Sequence, residues 1–280
     1  MSHMKYSILE LYDTLTDERK VILEGETPIN APFWMDDNSL CFNSEGLIYC
    51  NSIRTGLTWQ IPTDPCTHSN NDHLFSPDGR YLAISDEVPG VGSKIWLVDT
   101  KSADSPRLLT PDTVCYLHGY SPEGKTILYT SKRGGKCNIY SLALTDGRET
   151  QLTDAPGHND GAEYSPSGKY IYFNSARDGL MDCYRMDSDG KNVTRLTSNG
   201  RNNWFPHISP DGKTIVYLSY GTDVEPDKHP PDKNVEIRMM NSDGTNDRCI
   251  LKLFGGQGTM NVNSWIPGGR WFAFVRYEER

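Results

Sequence analysis

No stretch of this chain approaches the roughly 18 to 20 consecutive apolar residues that a membrane-crossing helix needs. Basic charge is short as well: 28 Lys and Arg stand against 37 Asp and Glu, a formal net charge of −9 over 280 residues. Nucleic acids and anionic membranes both want a basic face, so neither is expected as a partner. The N-terminus lacks the charged-then-apolar pattern of an export signal. Met1–Met4 reads as cloning residue before a native start near Met4. The expected compartment is the cytoplasm, with prior removal of a signal left open. Cysteine pairs at CxxC spacing are missing too. The seven cysteines, Cys41, Cys50, Cys66, Cys115, Cys137, Cys183 and Cys249, are odd in number, which favours free thiols and argues against a cysteine-built zinc site. No Gly-x-Ser-x-Gly elbow occurs. The glycine-rich "FGGQG" from Phe254 is followed by neither Lys-Ser/Thr nor a helix, which excludes a nucleotide loop.

What the sequence does contain is a repeat. "FSPDGRYLAIS" at Phe75, "YSPEGKTILYT" at Tyr120, "YSPSGKYIYFN" at Tyr164 and "ISPDGKTIVYLS" at Ile208 align on one turn. Weaker copies begin at Trp265 and Trp34. The turn prolines fall at 77, 122, 166, 210 and 267, a unit of roughly 44 residues lengthened once by an insertion. Within a unit, "KYIYFN" alternates as a strand, a polar loop follows, and "CYRMD" leads into a tight Asp-Gly turn and a short "RLT" strand. Four strands repeated radially make a β-propeller blade. The fold expected is all-β, one six-bladed propeller of four-stranded blades over residues 5–280. The last blade is closed by N-terminal strands in "YSILELYD" and "KVILE", which pair with Asn261–Ile266 and Trp271–Tyr277 and leave no open edge.

The segments "CNIYSLALTDGRETQLTD" and "CYRMDSDGKNVTRLTS", with the "SPDGK" turns, resemble the repeats of TolB-like six-bladed propellers, and the resemblance spans the chain from about residue 5. It implies the fold; members of such propellers serve as scaffolds, as gating domains of peptidases and as sugar lyases.

In this architecture the innermost strand of each blade faces the channel, so the segments preceding the turns are the functional candidates. Five positions before each turn serine stand Asn30, Asn71, Tyr116, Asp160, Trp204 and Asn261. Three before it come His73, His118 and Asn263, and two before it Glu163 and His207. Neighbouring amides Asn159 and Asn203 join this set. Blade five alone carries a long loop, "YGTDVEPDKHPPDK", bringing His229 and Lys233 to the same face. Arg177 and Gln257 add a cation and an amide.

Amides, carboxylates, aromatic faces and cations in a wet pocket are the groups that bind saccharides and uronates. The expectation is therefore a carbohydrate-binding or carbohydrate-processing propeller, lyase-like or hydrolase-like. Asp160 or Glu163 would work with His73, His118 or His207 as acid and base. In a second version those three histidines bind a divalent metal, manganese or calcium, with Gln257 or Asp160. The distantly similar oligogalacturonate lyases imply this, although their short paired-histidine motif is absent here. The competing expectation is a non-enzymatic TolB-like scaffold that binds a protein partner.

Overall fold

The computed structural model describes residues 5–102, 104–110 and 113–279; residues 1–4, expected to be cloning residue, lie outside the described residues. Among the described residues there are no helices, only strands and turns arranged as six blades around a channel. After β1 (Lys5–Asp13) and β2 (Arg19–Gly25), blade one is β3 (Asn30–Trp34), β4 (Ser39–Ser44), β5 (Leu47–Ser52) and β6 (Thr58–Gln60). Blade two is β7 (Ser69–Phe75), β8 (Tyr81–Val88), β9 (Gly92–Asp99) and β10 (Arg107–Leu108). Blade three is β11 (Cys115–Tyr120), β12 (Thr126–Arg133), β13 (Lys136–Ala143) and β14 (Glu149–Gln151). Blade four is β15 (Asn159–Tyr164), β16 (Tyr170–Asp178), β17 (Leu180–Asp187) and β18 (Thr194–Arg195). Blade five is β19 (Asn202–Ile208), β20 (Thr214–Tyr220), β21 (Lys233–Asn241) and β22 (Arg248–Gly255). All pair antiparallel in sequence order, and β23 (Trp271–Glu279) belongs to blade six.

Blade six is made from both ends of the chain, in the order β2-β1-β23. Nine residue pairs join β1 to β23, from Lys5↔Glu279 to Asp13↔Trp271. The expected inner strand at Asn261–Ile266 is reduced to a single bridge, Trp265↔Phe272. Its polar groups are diverted: Asn261 caps the Gly258 amide, and Asn263 reaches across to another blade. At the seam lies Glu10, 2% exposed, with Arg19 and Arg276 each 2.6 Å from its carboxylate.

The repeated turn has a physical reason for each residue. The serine hydroxyl accepts the amide five residues on, as Ser76 does from Tyr81 and Ser209 from Thr214. The glycine takes φ near +70°, a left-handed conformation costly for other residues. A Cβ at Gly124 would stand 3.3 Å from Pro77 of the preceding blade's turn, and one at Gly168 would stand 3.7 Å from Pro122. Each turn thus packs against its neighbour's proline. At the outer end the threonine of the "LT" signature braces the sheet: Thr153 Oγ1 accepts the Ile139 amide and donates to Asn138, and Thr197 accepts the Cys183 amide and donates to Asp182.

Cysteine chemistry departs from expectation at one place. Cys41 and Cys50 lie opposite each other on β4 and β5 and form a disulfide, so not all seven thiols are free.

The inner strands are bulged, and this decides where side chains point. Register breaks between Asn30/Phe33, Ser69/His73, Leu117/Gly119, Asp160/Glu163 and Trp204/His207. Ala31, Gly161 and Phe205 take positive φ at equivalent places in these bulges. A bulge leaves an unpaired position in the ladder, which also explains the prolines Pro32 and Pro206 inside strands. Simple period-two counting therefore fails across each bulge.

Glu10→Ala should remove the buried carboxylate that Arg19 and Arg276 share, leaving Arg276 only its Glu278 partner, and cost about 2 kcal/mol, read as a drop of several degrees in melting temperature. Arg19→Ala, at the exposed side of the same carboxylate, should cost under about 1 kcal/mol. Equal effects from both would contradict a buried carboxylate as the seam's anchor.

Candidate functional site

A cavity of about 760 Å³ opens on the face formed by the loops that enter the inner strands. Blades two, three and four supply its walls, and residues Pro226–His229 of the long blade-five loop stand over it. Its floor is Asp160, 6% exposed. His158 Nε2 lies 3.1 Å from Asp160 Oδ2, and His118 Nε2 lies 2.6 Å from Asp160 Oδ1. The His118 contact is a charge contact with poor alignment: both ring nitrogens of His118 are buried without a hydrogen bond. Burial alone would make the Asp160 carboxylate harder to ionise, but the two histidines hold it well below the usual range. The reverse holds for its partners. Burial opposes charge on His158, yet hydrogen bonds to Asp160 and to the Cys137 thiol outweigh it and raise the imidazole to about 10. His118 is likewise raised, Asp160 overcoming the cost of burial.

Asp72 lies on the same wall. Burial, reinforced by Asp160 and Glu87 and only partly offset by His118, pushes its carboxyl up to about 7. Tyr116 beside it is raised to about 12, chiefly by burial and then by Glu87, Asp72 and Asp160. Lys132, Lys136 and Lys228 also line the cavity. It therefore offers an ionised carboxylate, a carboxyl poised near neutrality, and cations at nearby positions. Such a set recognises ligands by charge as well as shape.

His229 hangs from the loop with its ring 4.3 Å from Trp204, edge-on to Phe205, and its Nδ1 2.5 Å from Gln257 Oε1. Gln257 also accepts from Asn261 Nδ2 at 2.9 Å. The loop is thus pinned by an amide and an aromatic stack, and burial lowers the His229 imidazole.

Of the residues expected from sequence, Asp160, His118, Tyr116, His229 and Gln257 meet at this cavity. Others do not, and each has a structural use. Glu163 accepts from the Ile208 amide and Asn263 Nδ2 and pairs with His207 Nδ1 at 2.9 Å, while His207 Nε2 faces the Met260 carbonyl. That network latches blades four, five and six. His73 faces the Ala31 and Asn70 carbonyls and packs on Phe33, and burial lowers it to about 4. His73, His118 and His207 consequently do not converge. No group of three His, Cys, Asp or Glu suited to a metal occurs among the described residues.

Asn159 and Asn203 are fully buried braces, accepting from Ser175 and Ser219 and donating to Asn138 and Asp182 respectively. Trp204 is 0% exposed within the core, so its face offers no platform to a sugar. Arg177 bonds Ser175 and Asn159 and lies over Phe173 and Tyr184. Asn71 lies beside the cavity lining, where the blade-two bulge turns Asn70 and Asp72 inward instead. Lys233 borders a smaller hollow outside. Sequence reasoning missed His158, Cys137, Asp72 and Glu87. The signal for His158 was present: in "GHND" it stands two residues before Asp160, and alternate residues share a face.

The Asp72 carboxyl gives a pH prediction with a definite sign. Its folded value of about 7 exceeds the ordinary 3.8. Between these the native state holds the extra proton, so stability falls as pH rises from about 4 to 7. Asp72→Asn should raise the melting temperature at pH 8 by several degrees and change it little at pH 4. An equal shift at both values would show that Asp72 ionises freely.

The comparisons agree with this fold. The family model described as the TolB beta propeller domain matches residues 118–226. An uncharacterized protein of Agrobacterium fabrum is 42% identical over 273 residues, 97% of this chain and 92% of its own length. A solved structure assigned provisionally to TolB, from Agrobacterium tumefaciens, is 41% identical with a TM-score of 0.93, covering 98% of this chain and 99% of that one. TolB from Acinetobacter baumannii matches at 22% identity and a TM-score of 0.71, covering 90% of this chain and 64% of that one. A manganese-bound oligogalacturonate lyase reaches only 14% identity at a TM-score of 0.58, over 90% of this chain and 74% of the lyase, a likeness of fold alone. The expectation of carbohydrate chemistry is thereby corrected: end-to-end similarity runs to TolB-type chains, and the residues proposed for sugar are mostly spent on blade packing. The chain belongs to the TolB-like β-propeller family.

Proposed function

We propose that this propeller is an interaction module that receives a segment of a protein partner on the face carrying the cavity. The observation that carries the reading is full-length kinship with TolB-type propellers, joined to a face where one loop is enlarged over a deep pocket. Exposed loops on a rigid scaffold are the usual seat of binding. The enlarged loop presents Asp223, Glu225, Asp227 and Asp232 to solvent, against Lys228. With a chain charge of −9 behind it, the chemistry suits a partner segment bearing Lys or Arg.

Panning a random linear-peptide library against the intact protein tests this. A recurrent sequence rich in Lys or Arg is expected, its affinity falling about tenfold on combining Asp227→Lys with Glu225→Lys, equivalent to about 1.4 kcal/mol. Lys191→Glu, in the β17–β18 turn on the opposite face, should leave it unchanged. A recurrent peptide indifferent to the loop, or none from a cooperatively folded sample, would overturn the reading.

A further inference from the structure

Asp72, on β7, is 7% exposed and lines the cavity, and none of the described residues hydrogen-bonds or ion-pairs its carboxyl. Its oxygens open on the cavity and are not sealed in the wall as the His118 nitrogens are. The backbone that carries it is braced. Asn70 Oδ1 accepts the Asp72 amide at 2.9 Å, and Asn70 Nδ2 donates to Ser93 Oγ at 3.2 Å. The Asn70 carbonyl accepts from Asn43 Nδ2 at 2.6 Å. The bulge between Ser69 and His73 thereby turns Asp72 inward and keeps it there. A buried carboxyl without a partner is costly, so a braced one that opens on a cavity marks the place of a group that pairs with it.

The charges around Asp72 decide the sign of that group. Glu87 of β8 and Asp160 of β15 both disfavour its ionised form, and His118 of β11 offsets them only in part. A ligand anion would add a further negative charge to this wall, which argues for a cation. Tyr116 and Phe205 contribute aromatic surface to the same lining, and aromatic faces attract cations. Among the described residues no group of three His, Cys, Asp or Glu suits a metal ion, which favours an organic cation. A volume of about 760 Å³ accommodates one.

We propose that Asp72 anchors a site for a primary ammonium group, which enters the cavity, donates to the Asp72 carboxylate and lies against Tyr116. An ammonium brings three donors and a full positive charge, so it satisfies the carboxyl and offsets the field of Glu87 and Asp160. A free alkylamine and a lysine side chain present this same group. Binding is linked to pH. Facing His118, Asp160 and Glu87, with Tyr116 held protonated beside it, the Asp72 carboxyl is pushed up to about 7. Below that value its proton must leave before the ammonium can pair, so affinity rises about tenfold from pH 6 to pH 8. The site rests on Asp72, and the protein-partner reading on Glu225 and Asp227 of the loop, so either can fail alone.

The test is an NMR titration of the isotope-labelled intact protein at pH 8 with n-butylammonium chloride and, separately, with Nα-acetyl-lysine methylamide. Potassium chloride controls for ionic strength, and Nα-acetyl-norleucine methylamide for a side chain without the charge. Saturable shifts of the Asp72 and Tyr116 amides are expected from an ammonium probe and not from the controls. Affinity should fall about tenfold in Asp72→Asn, and about tenfold at pH 6 in the unsubstituted protein. Asp189→Asn, in the β17–β18 turn on the opposite face, should leave it unchanged. Saturation by both probes makes a free amine a sufficient ligand, and saturation by the lysine derivative alone assigns the group to a protein segment. The comparison of the two pH values stands even where Asp72→Asn does not fold. No saturable shift from either probe, a shift undiminished in Asp72→Asn, or equal affinity at pH 6 and pH 8 would overturn the proposal.

Discussion

One buried charge organises the pocket. Asp160 sits where a lone carboxylate would lose its hydration, and it stays ionised because His118 and His158 share its field. A buried ion is tolerable only when paired closely, and removing one partner exposes the full desolvation cost of the other. The pair of histidines therefore depends on Asp160, and Asp160 on them. Around that centre the other values follow: Asp72 is discouraged from ionising and Tyr116 is held protonated.

The rest of the molecule holds this centre still. Threonines at the outer strands, buried asparagines at the inner ones and serine-capped turns form a repeated set of braces from blade to blade. The Glu163–His207–Asn263 latch performs a related task across blades four to six. Polar residues near a channel are thus of two kinds, those consumed by neighbours and those left with unsatisfied capacity. The Nδ1 of His118 is of the second kind, and Glu163 of the first.

The fold was legible because the repeat is written plainly: "SPDGK" turns at a steady spacing, alternating strands and "LT" ends each have a local mechanism. Closure by the two termini was legible for the same reason, since strands without partners must find them. The site was legible in part. Asp160, His118 and the His229 loop were found from their place before the turns and from loop length. The rest was obscured by the bulges, which shift side chains by one position and turn Asp72 rather than Asn71 or His73 toward the pocket. In "NNWFPH" the amides brace blades four and five, the tryptophan fills the core, the proline occupies a bulge and the histidine joins a latch. Only Phe205 of that segment reaches the cavity. Local sequence records that such residues are polar or aromatic; which of them are already paired is decided by contacts far apart in the chain.

The central claim is that Asp160 raises the two imidazoles beside it, His158 and His118, in the folded protein. Nitrogen-15 spectra of histidine-labelled protein at pH 8 test it directly, with the signals assigned from His118→Gln and His158→Gln samples. The His158 ring should carry protons on both nitrogens at that pH and revert to a neutral ring in Asp160→Asn, and the His118 ring should lose its proton at lower pH in Asp160→Asn than in the unmodified protein. A neutral His158 ring at pH 8 in the unmodified protein would contradict the account.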